Sequence, residues 1–209
     1  MALRRPLLVG LTGSIGMGKT ETARQFARLG IPVHDADAAV HRLYEPGAAA
    51  VAAIAQAFPE CVMEMEGSVD RARLSARLRK DPSAFSRLES IVHPFVAAEQ
   101  RAFIAEAAAA GADLVVLDVP LLFETGGERD MDAIVVVSAP EAIQRARVLA
   151  RPGMSEEVLD HILARQFSDV DKRRRAHFVV ETEKGLDHAF EQVKSIVAAL
   201  RERAKGEHA

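Results

Sequence analysis

Apolar residues in this chain gather in short unbroken runs at Leu7–Leu11, around Pro32–Asp35, at Leu114–Asp118, at Ala133–Ser138 and at His177–Glu181. Runs of this length without alternating polar positions suit strands covered on both faces, as in a parallel sheet. Between them the apolar positions recur at helical spacing. Ala23, Phe26 and Ala27 share a face ahead of Gly30, which is placed to end that helix, and Leu186, Phe190, Val193, Val197 and Leu200 form the stripe of a closing helix. Strands alternating with helices predict an α/β fold: a parallel five-stranded sheet flanked by helices. In such a sheet ligands bind in the crevice beyond the carboxyl ends of the strands, where residues 13–20, Asp35 and Asp118 would converge.

Two stretches depart from this alternation. From Ala38 to Gly111 the strand pattern nearly vanishes into an alanine-rich succession of helical patterns, which predicts an inserted helical subdomain. Asp81-Pro82 reads as a helix start, with Phe85, Leu88 and Val92 following at helical spacing; Pro94 is expected to break or restart that helix, and residues 64–69 read as a loop. From about Glu141 to Arg175, Arg145, Arg147, Arg151, Arg165, Arg173, Arg174 and Arg175 fall within a few helical turns. Such a run is either a solvated basic face or, after the fourth strand of a phosphate-binding fold, a lid. The expected division is a nucleotide-binding core of residues 1–37, 112–140 and 176–209, a helical acceptor-binding subdomain of 38–111, and a lid of 141–175.

With 209 residues, 49% of them hydrophobic, the chain can bury a full core. A net charge of −3 lacks the broad positive field of a nucleic-acid binder, so any phosphate affinity must be local. Cys61 stands alone, which excludes an internal disulfide and a thiolate cluster; it reads as a half-buried small hydrophobe in a reducing compartment. The start, Met1 to Pro6, imitates a charged leader, but the apolar stretch behind it is the first core strand. No apolar span reaches the ~18 to 20 residues of a membrane helix, so a cytoplasmic protein is expected, as a monomer or small homo-oligomer, with no nucleic-acid or membrane partner.

The densest chemistry lies in Gly13-Ser14-Ile15-Gly16-Met17-Gly18-Lys19-Thr20, between the first predicted strand and the first predicted helix. Glycines at 13, 16 and 18 let the backbone fold tightly and turn several N–H groups toward one anion. Lys19 supplies a positive charge for the outer phosphates, Thr20 a hydroxyl for Mg²⁺, and the helix beginning near Lys19 its positive dipole end. This is a complete nucleoside-triphosphate loop. A guanine-specific switch normally carries an Asn-Lys-x-Asp base reader, and the chain contains no asparagine.

A small-molecule kinase needs, beside the loop, a carboxylate near the acceptor hydroxyl and cations around the transferring phosphoryl group. Asp35 and Asp37 sit where the second strand enters a helix: Asp35 as helix cap or catalytic support, Asp37 as the better candidate for general base. Asp118 ends its strand as a support for Mg²⁺ or as a loop cap. The apolar segment Val119 to Phe123 could wall an acceptor pocket, with Leu121 and Phe123 lining it and Glu124 as polar anchor. Arg147, then Arg151, are the candidate lid cations over the nucleotide. A nucleoside or nucleotide kinase, and a regulatory nucleotide-binding module, remain competing readings of these residues.

Taken in order, Val9 to Gly13 running into Ile15 to Thr20, Asp35-Ala36-Asp37, His93-Pro94, Asp118 to Glu124, Arg147 to Arg151 with Ser155-Glu156-Glu157, and Gln166 make the chain resemble the dephospho-coenzyme A kinase family. The resemblance covers most of the sequence. It implies an ATP-dependent kinase acting on the ribose 3′-hydroxyl of dephospho-coenzyme A, with Asp37 as base, Lys19 and the loop amides on the ATP phosphates, Thr20 on Mg²⁺, Arg147 reaching the phosphates on closure, and His93 on the substrate side. Pro152, where the family commonly has an acidic or amide residue, and His177 to Thr182 depart from the family pattern.

Overall fold

The computed structural model describes residues 5–63 and 65–206; the leader-like Met1 to Arg4, Glu64 and the last three residues lie outside it. The parallel sheet has the strand order β2-β5-β1-β6-β7, built from β1 (Leu7–Thr12), β2 (Val33–Asp35), β5 (Leu114–Asp118), β6 (Ala133–Ser138) and β7 (Phe178–Glu181). β1 is central. It pairs in parallel with β5, Leu11 opposite Asp118, and with β6, Thr12 opposite Val136. The strand order reverses direction beside β1, so the segment leaving its carboxyl end enters the crevice where such sheets bind ligands.

The five apolar runs form the five strands, and the inner ones are covered on both sides: every residue of β5 and β6 is buried, while the edge strands β2 and β7 are only partly so. The core beneath them joins Val9, Leu11, Phe26, Val116, Val135, Val137, Val193 and Leu200. α1 (Lys19–Arg28) buries Phe26 completely and ends as expected at Gly30, whose φ of 77° allows its N–H to reach Ala27 O at 2.9 Å. α9 (Leu186–Gly206) closes the core with Ala189, Val193, Ile196, Val197 and Leu200. Leu186, expected on this stripe, is exposed; it opens the helix, and its carbonyl accepts from Gln25 Nε2 at 2.8 Å.

Compact units divide the chain at 34/35 and 106/107 rather than at the expected 37/38 and 111/112. The unit of Asp35–Glu106 contains α2 (Ala36–Arg42), α3 (Ala49–Ala57), α4 (Arg71–Lys80) and most of α5 (Pro82–Ala109). Its core packs Leu43, Ile54, Phe58, Val69, Leu74, Leu88 and Val92. Cys61 is fully buried there, not half-buried, and burial pushes its thiol up. Two further expectations fail in this unit. Pro94 does not break α5: losing one backbone bond costs about 3 kcal/mol, while Ala84, Leu88 and Val92 on one side of it and Phe95 and Val96 just beyond join the same apolar cluster. The segment read as a loop carries one strand of a hairpin, β3 (Val62–Met63) with β4 (Ser68–Val69), turned at Gly67 with φ 62°.

Residues 141–175 form α6 (Glu141–Leu149), α7 (Glu156–Leu163) and α8 (Asp169–Arg175) and belong to the same compact unit as the sheet.

Candidate active site

The loop of residues 13–20 joins β1 to α1, at the carboxyl end of the central strand. Gly16 and Gly18 hold φ values of 80° and 98°, a region that side chains rarely enter, and the bend lets Met17 N–H reach Ser14 O at 3.2 Å. Gly16 is also a point of close approach: a Cβ there would lie 2.5 Å from Val148 Cγ2 and 3.1 Å from Gln144 O. Helix α6 therefore packs directly on the loop. Lys19, the first residue of α1, is mostly buried and makes an ion pair with the buried carboxylate of Asp118 at the end of β5. Asp118 is thus a charge partner of the loop lysine, a role that neither metal support nor loop capping had suggested. The Thr20 side is exposed at the start of α1.

On the α9 side of the loop lies a cavity of about 330 Å³, lined by Gly16, Gly18, Arg147, Arg151, Thr182 and Leu186 among others. The Arg147 guanidinium donates to Thr182 Oγ1 and to Thr182 O, both at 2.8 Å, and Thr182 Oγ1 in turn donates to Met17 O at 2.8 Å. One arginine, one loop carbonyl and the end of β7 are so joined through a single hydroxyl. Among the described residues the Arg151 side chain has no hydrogen-bond or ion-pair partner, which leaves its charge available to a ligand in the cavity.

The other arginines of this segment are mostly structural. Arg145 ties α6 to α7 through Glu156 and through Asp160 at 3.0 Å. Arg173 donates to Ser138 Oγ at 3.1 Å and to Glu181 at 2.9 Å, and Arg175 lies 4.5 Å over the Phe167 ring. The segment is therefore neither a solvated basic face throughout nor a uniform row of lid cations.

The 119–124 segment separates the residues expected to line an acceptor pocket. Leu121 is exposed, but Phe123 is buried with Leu122, Ile134 and Val136. Glu124 is held inside the fold: its Oε1 accepts from Phe167 N–H at 2.8 Å and lies 2.9 Å from the Nζ of the fully buried Lys172, an ion pair by distance that is not aligned as a hydrogen bond. It anchors α8 to the β5 loop. Sequence reasoning named neither Lys172 nor Thr182 as a partner here, since each meets its partner across 35 or more residues.

In the helical unit Asp35 is the N-cap of α2, accepting from Ala38 N–H at 2.9 Å, which realises the capping alternative. Asp37, in the first turn of α2, is exposed and has no hydrogen-bond or ion-pair partner among the described residues. His93, on α5 just before Pro94, is likewise exposed. His41 Nε2 lies 2.8 Å from the Arg71 guanidinium, and burial raises the Tyr44 phenol above its ordinary range, with Arg71 opposing that shift. Among the described residues no group of three or more His, Cys, Asp or Glu gathers to hold a metal ion.

A parallel sheet with a glycine loop and its lysine at the carboxyl end of the central strand, and a strand-terminal aspartate beside that lysine, defines a phosphate-loop nucleotide-binding protein. The family model described as dephospho-CoA kinase matches residues 7–188. Dephospho-CoA kinases of Rhodopseudomonas palustris and Mesorhizobium japonicum are 53% and 52% identical over 192 and 195 residues, covering 92% and 93% of this chain and 94% and 97% of theirs. A Thermus thermophilus protein of known crystal structure is 34% identical with a TM-score of 0.79, covering 94% of this chain and 98% of its own. The chain belongs to the dephospho-CoA kinase family. A dephospho-CoA kinase from Campylobacter jejuni, 17% identical with a TM-score of 0.67 over 94% of this chain and 98% of its own, shares the fold.

Proposed function

We propose that this protein transfers the γ-phosphoryl group of ATP to the ribose 3′-hydroxyl of dephospho-coenzyme A, giving coenzyme A and ADP. The observation that carries the donor half is the Lys19–Asp118 pair set into the glycine loop: a lysine held at the phosphate position by a carboxylate that it can leave when a phosphate arrives. Family membership carries the choice of acceptor. The loop N–H groups and Lys19 bind the β and γ phosphates. The nucleoside end of ATP occupies the 330 Å³ cavity, where Arg147 and Arg151 face it.

The Thr20 hydroxyl and the Asp118 carboxylate are hard oxygen donors, and together with phosphate oxygens they suit Mg²⁺, which keeps several waters and takes few protein ligands. When bound, Mg²⁺ supplies charge neutralisation on the β and γ phosphates. Asp37 takes the proton of the 3′-hydroxyl as the oxygen forms its bond to the γ phosphorus. The bond from that phosphorus to the β–γ bridging oxygen breaks, and ADP leaves with its electron pair. Asp35 keeps Asp37 in place by fixing the first turn of α2. His93 and the exposed Leu121 are the remaining acceptor-side residues, whereas Phe123 and Glu124 shape the 119–124 segment from within. No helix of the described residues is long and apolar enough to cross a membrane, and we place the reaction in the cytoplasm.

The test is phosphate transfer from ATP to dephospho-coenzyme A measured against a panel of nucleosides and nucleoside monophosphates. Preference for dephospho-coenzyme A supports the reading, and preference for a monophosphate overturns it. Asp37→Asn is expected to lower transfer by about 10²-fold or more with ATP affinity nearly intact; unchanged turnover removes Asp37 from its role.

A further inference from the structure

Ile15, the third residue of the phosphate loop, is held at both ends of its backbone by side chains from the 141–175 segment. Its carbonyl accepts from Gln144 Nε2 at 2.8 Å, and its N–H donates to Gln166 Oε1 at 3.3 Å. The amide orientations are fixed by chemistry, because a carbonyl can be met only by the NH₂ end and an N–H only by the oxygen end. Gln144 is almost fully buried on α6, the helix that Gly16 admits against the loop, and Gln166 follows α7. Both glutamines line the cavity of about 660 Å³ between the loop and residues 163–173. A buried amide such as that of Gln144 is costly to keep unless it is bonded, and it and the half-buried Gln166 each bond the backbone of the same residue.

We propose that Gln144 and Gln166 are paired positioning residues that pre-set the phosphate loop for ATP, so that the seating of the 141–175 segment fixes the loop's anion-binding shape. The convergence of the loop N–H groups depends on the dihedral angles of the limb Ser14-Ile15-Gly16, and glycine-rich backbone is free to rotate unless something holds it. The two amides hold it before the anion arrives. The residue bonded to the N–H needs only an acceptor, and the residue bonded to the carbonyl needs a donor. This asymmetry separates positioning from packing: a carboxylate can replace Gln166 but not Gln144.

The inference rests on the ATP-binding part of the proposed function, so binding is read directly. The affinity of the full chain for ATP with Mg²⁺ is measured by calorimetry, alongside thermal unfolding and the KM values for ATP and dephospho-coenzyme A. Gln166→Leu is expected to weaken ATP about tenfold, with KM for dephospho-coenzyme A and the unfolding temperature little changed. Gln166→Glu recovers affinity to within about threefold of the parent chain, because its oxygens still accept from Ile15 N–H. Gln144→Glu, which sets a carboxylate against the Ile15 carbonyl, weakens ATP at least as much as Gln166→Leu. Equal losses in Gln166→Glu and Gln166→Leu, or unchanged ATP affinity in Gln166→Leu, overturn the proposal. If the parent chain binds ATP but does not phosphorylate dephospho-coenzyme A, the acceptor reading falls while the binding comparison still decides on the glutamines.

Discussion

The loop end of the sheet and the helical unit of residues 35–106 solve different problems with different materials. Around the loop the side chains that shape it are already engaged: Lys19 with Asp118, Arg147 with Thr182, Thr182 with Met17, and Ile15 with two glutamines. The helical unit is held by an apolar cluster around Phe58, Ile54 and Leu88, while the groups with chemistry to offer, Asp37 and His93, are exposed. A phosphate chain makes the same demand in every nucleotide-binding loop, so its receiver can be locked in advance. A carboxylate that must meet an alcohol oxygen gains by staying unpaired until the substrate comes.

Substitutions in the two regions should therefore fail in different ways. Lys19→Ala is expected to have the largest effect, weakening ATP and lowering transfer together by about 10³-fold or more, as steady-state kinetics with calorimetry would show; retained affinity with a normal rate would remove the contrast. Lys172→Met leaves the Glu124 carboxylate buried without its cation, and should cost about 3 to 5 kcal/mol in denaturant unfolding. Leu88→Ala, in the apolar cluster of the helical unit, should cost about 2 to 5 kcal/mol by the same measurement. ATP affinity should persist in the folded fraction, and loss of ATP binding in proportion to unfolding would contradict the division of labour.

The smallest effect is electrostatic. Arg201 bonds the Asp113 carboxylate at 2.6 Å and, chiefly through that hydrogen bond, holds it below the usual carboxylate range. A carboxyl whose folded value is depressed stabilises the protein above the unfolded value of 3.8, and this contribution is lost as the pH falls from there through the lower folded value. Because the pair is about half exposed, it is worth under about 1 kcal/mol. Asp113→Asn should flatten the acid limb of a stability–pH curve below about pH 4 and leave the neutral region nearly unchanged.

The sheet and the loop were legible because their determinants are local. A buried parallel strand is an unbroken apolar run, and a phosphate loop is eight consecutive residues. What could not be read was partnership at a distance. Asp118 was recognised as a strand-end carboxylate, but its pairing with Lys19 crosses 99 positions. Glu124 read as the polar anchor of an acceptor pocket because nothing in its neighbourhood announces Lys172. Gln144 could have been suspected, since it shares the buried face of α6 with Val148, and a lone amide on an apolar face needs a partner. Pro94 misled for the opposite reason: its local rule was outweighed by the apolar contacts α5 makes on both sides of it.

The decisive measurement is a crystal structure with a non-hydrolysable ATP analogue and dephospho-coenzyme A bound together, read for the distance from the Asp37 carboxylate to the ribose 3′-oxygen. We expect hydrogen-bond contact, about 2.6 to 3.2 Å, with that oxygen in line with the γ phosphorus held by Lys19. A carboxylate turned away from the 3′-oxygen, with another group in its place, would contradict the mechanism.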